Sequence, residues 1–151
     1  ANMVLIVLDN STTAMTGHQP HPGTGRTVMG EIVQKINIEQ VLRGIGVTEI
    51  ETINPLELEA SVSCVKRMAE KSGVRAIIFK APCIAVTKPK APLHVDQDSC
   101  IGCKKCIRDL GCPAIVMNDG KICIDASMCT GCHLCSQVCP VCAIAGGDDH
   151  E

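Results

Sequence analysis

The chain has 151 residues, enough for one or two domains, and 46% of them are hydrophobic, so a core can be buried. Aromatic residues make up 1%, with Phe79 alone and no Trp or Tyr, and the formal net charge is -2. Both argue against a nucleic-acid surface, which needs stacking platforms or a basic face.

The longest apolar run, Met3 to Leu8, is far too short to span a bilayer, and no secretory signal precedes it. The expectation is a cytoplasmic protein with no membrane partner. Continuous and rich in Val, Ile and Leu, that run reads as a buried parallel strand, an element normally flanked by other strands. Only two residues precede it, so we expect the chain to be the C-terminal part of a longer polypeptide, or a subunit completed by another chain. A long loop rich in Gly, Thr and Pro follows, DNSTTAMTGHQPHPGTGRTVMG over residues 9–30. The C-terminal end of a parallel strand is where α/β sheets place ligands. The loop contains neither G-x-G-x-x-G nor GK[ST], so a nucleotide loop is a poor match. His18 and His21 flank Gln19-Pro20 and read as loop residues near a cofactor or substrate, not as a metal pair.

Next come a helix over 38–44, a strand over 48–53, a helix over 55–72 and a strand over 75–80. In the second helix Asn54 is the expected N-cap, Pro55 the first helical residue and Glu57 the capping-box partner. Its expected apolar stripe is Leu58, Val62, Val65 and Ala69, with Gly73 as the stop. The β-α-β-α-β order predicts a partial parallel sheet. The Pro- and Lys-bearing stretch APCIAVTKPKAPLHV then breaks periodicity, and we place a boundary there, giving domains over 1–88 and 89–151. Charge divides with it. Residues 1–90 carry ten Lys or Arg and eight Asp or Glu, whereas residues 91–151 carry four and eight. An acidic tail suits docking to a basic redox partner or a place in a larger complex.

The tail repeats itself: CIGCKKCIRDLGCPAI (100–115) resembles CTGCHLCSQVCPVCAI (129–144), at a period near 29 residues. Between the halves, Asn118-Asp119-Gly120 in an apolar alternation predicts a hairpin. Ten of the 12 cysteines fall after residue 99. A C-x2-C-x2-C run wraps three thiolates around one iron–sulfur cube, and the Cys-Pro that follows ligates the other cube in two-cluster ferredoxins. This predicts two [4Fe–4S] clusters. Cluster I is held by Cys100, Cys103, Cys106 and Cys139, and cluster II by Cys129, Cys132, Cys135 and Cys112. Gly102, Gly111 and Gly131 let the backbone crowd the cubes. Five residues separate Cys106 from Cys112, where three is usual, and the excess is expected to bulge the loop. Zinc uses paired C-x2-C units and has no use for the third Cys. A disulfide scaffold does not have this spacing. Cys64, Cys83, Cys123 and Cys142 read as small buried hydrophobes, with Cys142 the one that could be a spare ligand. Lys104 and Lys105 read as a solvated face or a partner-docking site.

The segment LDNSTTAMTGHQPHPGTG, with the α/β remainder and the two-cluster tail, resembles the thiamine-diphosphate-dependent 2-oxoacid:ferredoxin oxidoreductases. Within that family the resemblance is to the alpha subunits of the indolepyruvate ferredoxin oxidoreductases and covers essentially the whole chain. It implies that Asn10 is a Mg²⁺ ligand, that the Thr12 carbonyl is another, and that Thr16-Gly17 lies against the diphosphate. Mg²⁺ prefers such hard oxygen ligands. The family's upstream Gly-Asp-Gly and its ring-activating glutamate are not in this sequence, and no catalytic residue is assigned. The implied reaction is oxidative decarboxylation of an aryl-2-oxoacid such as indolepyruvate, with coenzyme A as acyl acceptor, ferredoxin as electron acceptor and a beta subunit as partner. The fold expected is therefore a partial thiamine-diphosphate-binding α/β domain followed by an α+β two-cluster bacterial-type ferredoxin domain. The alternative is a stand-alone ferredoxin-like electron carrier with an α/β appendage.

Overall fold

The computed structural model describes residues 1–13, 17 and 19–146. The chain falls into two compact units, Ala1–Thr87 and Lys88–Glu151.

In the first unit β1 (Met3–Asp9), β2 (Glu49–Ile53) and β3 (Val74–Lys80) form a parallel sheet in the order β1-β3-β2. Side chains alternate faces along a strand, so β3 serves two cores at once. Ala76 and Ile78 pack with Leu42 of α1 (Ile38–Gly44) and with Val47 on one face. Ile77, between them, packs with Cys64 and Met68 of α2 (Leu58–Glu70) on the other. The register Val7↔Ile78 and Ile53↔Phe79 keeps each neighbouring strand in step with those two faces. Among the described residues β1 pairs with β3 alone, and Met3, Ile6 and Leu8 on it are exposed.

Helix α1 starts where Asn37 accepts the Gln40 N–H, and Glu39 and Arg43 pair one turn apart at 2.7 Å. The start of α2 differs from the expectation. Its first residue is Leu58, and Glu57 at the N-cap makes no side-chain cap bond. The Asn54 amide oxygen instead accepts the Leu56 N–H at 3.0 Å, and its carbonyl accepts the Glu57 N–H. Asn54 and Pro55 therefore spend themselves on a turn before the helix. The buried stripe also differs. Ser61, Cys64 and Met68 face the sheet, while Val62 and Val65 are exposed. Two apolar stripes lie side by side on this helix, and the sheet took the one containing the bulky Met68. Buried Arg75, at the start of β3, donates to the carbonyls of Met68 and Gly73 and so closes the end of α2.

The second unit is a pair of similar halves. α3 (Lys105–Leu110) carries Cys106, the last cysteine of the first run, and the hairpin β5 (Ile115–Asn118) and β6 (Lys121–Ile124) follows it. α4 (Leu134–Val138) carries Cys135, the last of the second run, and β7 (Ile144–Gly146) returns to pair antiparallel with β4 (Leu93–Val95). Asp119 and Gly120 both have positive φ, as the expected two-residue hairpin turn requires. The extra residues after Cys106 do not bulge. They lengthen α3 to six residues against five in α4, and Gly111, at φ 58°, ends it. The second half recovers the difference after its own Cys-Pro, so Ala114 and Ala143 are both buried and each accepts an aspartate N–H at 2.8 Å, from Asp125 and Asp96. No helix among the described residues is long and apolar enough to cross a membrane.

Candidate cluster sites and cofactor loop

Each Cys run is launched by the same device. Asp96 and Asp125 lie four residues before Cys100 and Cys129, and their carbonyls accept the N–H groups of those cysteines at 3.0 Å. The Asp96 carboxylate accepts the Asp98 N–H at 3.1 Å and the Ser99 hydroxyl. The Asp125 carboxylate takes the N–H and hydroxyl of Ser127 at 2.8 and 2.7 Å. The Ser99 and Ser127 bonds are the main reason both carboxyls are held below the usual aspartate range. The sequence carries a signal for them, because the 29-residue repeat extends upstream to DQDSC and DASMC.

The thiols sort into two groups that cross the halves. Cys100, Cys103, Cys106 and Cys139 line one small cavity, walled by Val95, Ile122 and Ile144. In the other group, burial pushes the Cys135 thiol up to about 11, and nearby Cys132, Cys129 and Cys112 add to the rise. Burial likewise raises Cys106, with Cys103 and Cys139 contributing. Without iron, four thiols held this closely resist ionising together, so loading iron must release protons. Backbone N–H groups point at sulfur, among them Ala143 to Cys139 at 3.2 Å and Leu93 to Cys129 at 3.5 Å. Such bonds tune cluster potential.

Among the described residues no three His, Cys, Asp or Glu side chains converge as a single metal ion requires. A tetrahedral zinc needs four sulfurs roughly 2.3 Å from one point. The first thiol set lines one small cavity, with Cys139 of the second half beside Cys100, Cys103 and Cys106 of the first. Of the other cysteines, Cys64 is buried as expected, Cys83 and Cys123 are half-buried, and Cys142 is exposed. The exposure of Cys142 corrects its reading as a core residue. It follows Pro140 and Val141 in the stretch where the second half is longer than the first, and this stretch runs over the surface.

The loop after β1 opens on two Asx turns: Asp9 Oδ1 accepts the Ser11 N–H at 3.0 Å and Asn10 Oδ1 accepts the Thr12 N–H at 3.2 Å. Ser11 takes φ 61° between them, Thr12 is buried, and the Asn10 carbonyl accepts the Cys83 N–H. Asn10 and Thr12 thus share one tight turn at the C-terminal end of a parallel strand. Its donors are all oxygens, the chemistry Mg²⁺ selects. Gly17 is exposed with φ 94°. Thr16 and His18 lie outside the described residues. Beside the turn, a cleft of about 700 Å³ opens between the strand ends and α1, lined by Asp9, Ser11, His21, Lys35 and Lys80 among others. His21 is held there, its Nδ1 accepting the Gly23 N–H at 3.0 Å.

Residues 1–79 match the family described as thiamine pyrophosphate enzyme, C-terminal TPP binding domain. The chain belongs to the thiamine pyrophosphate enzyme family. Residues 92–140 match a 4Fe-4S dicluster domain. The chain is similar to proteins named indolepyruvate oxidoreductase subunit IorA. It is 45% identical over 143 residues to that of Methanothermobacter thermautotrophicus, covering 93% of this chain and 23% of the relative. Against that of Archaeoglobus fulgidus it is 38% identical over 150 residues, covering 95% and 24%. The Pyrococcus abyssi protein is 36% identical over 150 residues, covering 93% and 23%. The chain thus spans about a quarter of the length of the curated relatives it matches. No solved structure matches it. The expected resemblance and the expected fold, a thiamine-diphosphate-binding α/β domain followed by a two-cluster tail, both hold. Thiamine diphosphate and [4Fe–4S] clusters are the cofactors of these two domains.

Proposed function

We propose that this chain is the C-terminal part of an oxidoreductase subunit that oxidatively decarboxylates aryl-2-oxoacids such as indolepyruvate. Coenzyme A takes the acyl group, and a ferredoxin takes the electrons singly. Asn10 and the Thr12 carbonyl hold Mg²⁺, and Thr16-Gly17 lies against the diphosphate. Cys100, Cys103, Cys106 and Cys139 hold one cluster, and Cys129, Cys132, Cys135 and Cys112 hold the other. When bound, thiamine diphosphate supplies the nucleophilic carbon and electron sink for decarboxylation, and the clusters carry off single electrons. The protein's own part is positional. The Asx turn fixes oxygen donors where α/β folds bind ligands, and the crossed thiol sets bring two redox centres into one small unit. A second subunit, the beta subunit, completes the enzyme.

The observation that carries this reading is the pairing, on one chain, of the oxygen-donor turn after β1 with two crossed thiol groups. A stand-alone electron carrier has no use for the first, and the thiamine-family match over residues 1–79 counts against it. The test is the assembled enzyme, full-length subunit plus partner, given indolepyruvate, coenzyme A and oxidised ferredoxin anaerobically. Substrate-dependent ferredoxin reduction is expected, with Asn10→Ala losing it while both cluster EPR signals persist. An Asn10→Ala enzyme of undiminished Mg²⁺ affinity and rate would refute the assignment of the turn.

A further inference from the structure

The two halves of the tail are built alike but are not exposed alike. Residues 101–105, around the Cys100 group, are all exposed, and Ile101 is 65% exposed. Their counterparts over 130–134 are half-buried or buried. The cause is local. A Cβ at Gly131 would lie 2.6 Å from Lys90 Cβ and 2.7 Å from the Ala91 carbonyl oxygen, and the Lys90 N–H donates to the Thr130 carbonyl. Residues 90–93 thus lie over the second Cys loop. At Gly102, the equivalent position, nothing lies within 4 Å.

Charge differs between the loops as well. The unit Lys88–Glu151 contains six Lys or Arg; three of these, Lys104, Lys105 and Arg108, sit on the open loop and α3, while Lys88 and Lys90 belong to the segment that runs up to and over the second loop. The equivalent residues of the second half are His133, Leu134 and Gln137. Lys105 is ion-paired with Asp109, and Lys104 and Arg108 are exposed. An exposed apolar residue, Ile101, beside a basic rim on an otherwise acidic unit is a small docking face.

We propose that this face is where a small acidic one-electron carrier protein docks, so that electrons leave the tail from the Cys100 side. This deepens the electron-transfer reading above and rests on it. One electron crosses per encounter: the tail is oxidised by one, the carrier is reduced by one, and no bond or proton changes hands. Transfer falls steeply with distance, so the uncovered loop is the exit and the loop under residues 90–93 is insulated from solvent carriers.

The test uses the full-length complex and an acidic two-cluster ferredoxin. The dissociation constant is read by interferometry at several salt concentrations, with EPR confirming both clusters in each variant. Lys104→Glu/Arg108→Glu is expected to weaken binding at least tenfold and to flatten its salt dependence. His133→Glu/Gln137→Glu, the mirror change, is expected to leave it within twofold. Hydroxyl-radical footprinting is expected to show residues 101–105 reactive in the free complex and protected by ferredoxin. Unchanged affinity in the first variant, equal loss in the mirror variant, or a loop already protected in the free complex would each overturn the proposal. Carrier binding needs no substrate, so a complex inactive toward 2-oxoacids that still shows the asymmetric loss would sink the substrate reading and sustain the docking face.

Discussion

Gly102 and Gly131 occupy the same place in the two Cys loops and take nearly the same left-handed conformation, φ 65° and 67°. An alanine in that conformation costs about 1–2 kcal/mol from the Cβ–carbonyl clash alone. At Gly102 that is the whole cost, because a Cβ there meets nothing within 4 Å. At Gly131 the Cβ would also press on Lys90 Cβ at 2.6 Å and the Ala91 carbonyl at 2.7 Å, mostly backbone that cannot rotate away. Forced shifts of this kind add about 1–3 kcal/mol. The expected totals are about 1–2 kcal/mol for Gly102→Ala and about 2–5 kcal/mol for Gly131→Ala. With a urea slope of about 2 kcal/mol/M, the two variants should differ by about 0.5–1.5 M in midpoint. The assay is anaerobic urea denaturation followed by the visible absorbance of the clusters. Equal shifts, or a larger one for Gly102→Ala, would show that residues 90–93 do not seal the second loop.

Other outcomes follow from the same geometry. Cys112→Ala should bleach the cluster of Cys129, Cys132 and Cys135 and spare the nearer one in sequence, and selective loss of the Cys100 cluster in EPR would mean the thiol sets do not cross. Chelating the iron should collapse residues 88–146 while the first unit keeps its helices, because cluster binding is folding energy in so small a unit; dispersed amide resonances from an iron-free tail would contradict this. The Arg67 guanidinium holds the Glu51 carboxyl below its usual range. The stabilisation is therefore present at neutral pH and lost as pH falls below the ordinary glutamate range, so Glu51→Gln should lower the far-UV urea midpoint at pH 7 but not near pH 3. The pair is largely exposed, so about 0.2–1 kcal/mol is the size to look for. The 151-residue chain alone should pass electrons to a viologen dye yet leave indolepyruvate untouched, and turnover by this chain alone would relocate the catalytic groups.

The exposed side chains of the first unit bear on how it must be handled. Among the described residues β1 has one edge unpaired, with Met3, Ile6 and Leu8 exposed, and α2 presents Val62 and Val65 outward. Unpaired edges and contiguous apolar surface promote association. Preparations of this chain by itself should be checked for oligomers before any stability is read from them.

Much was fixed by local chemistry. Continuous apolar strands, Asp119-Gly120 at the hairpin and the Cys spacing each depend on neighbours in sequence, so strand order along the chain, the turn and the cluster count were legible without coordinates. The side of α2 that faces the sheet was not. Both Leu58-Val62-Val65-Ala69 and Ser61-Cys64-Met68 keep helical period, and only packing against Ile77 chooses between them. Asn54 has a side chain suited to a cap or to a turn, and the chain's path before α2 made it a turn. The two extra residues after Cys106 were visible, but their absorption, one into α3 and one as the Gly111 that ends it, with repayment after Cys139, required both halves to meet at Ala114 and Ala143. The cover over Gly131 was likewise invisible, because it comes from residues some forty positions upstream. Sequence sets what each loop can hold; only the long-range fold decides which of two similar loops is left exposed.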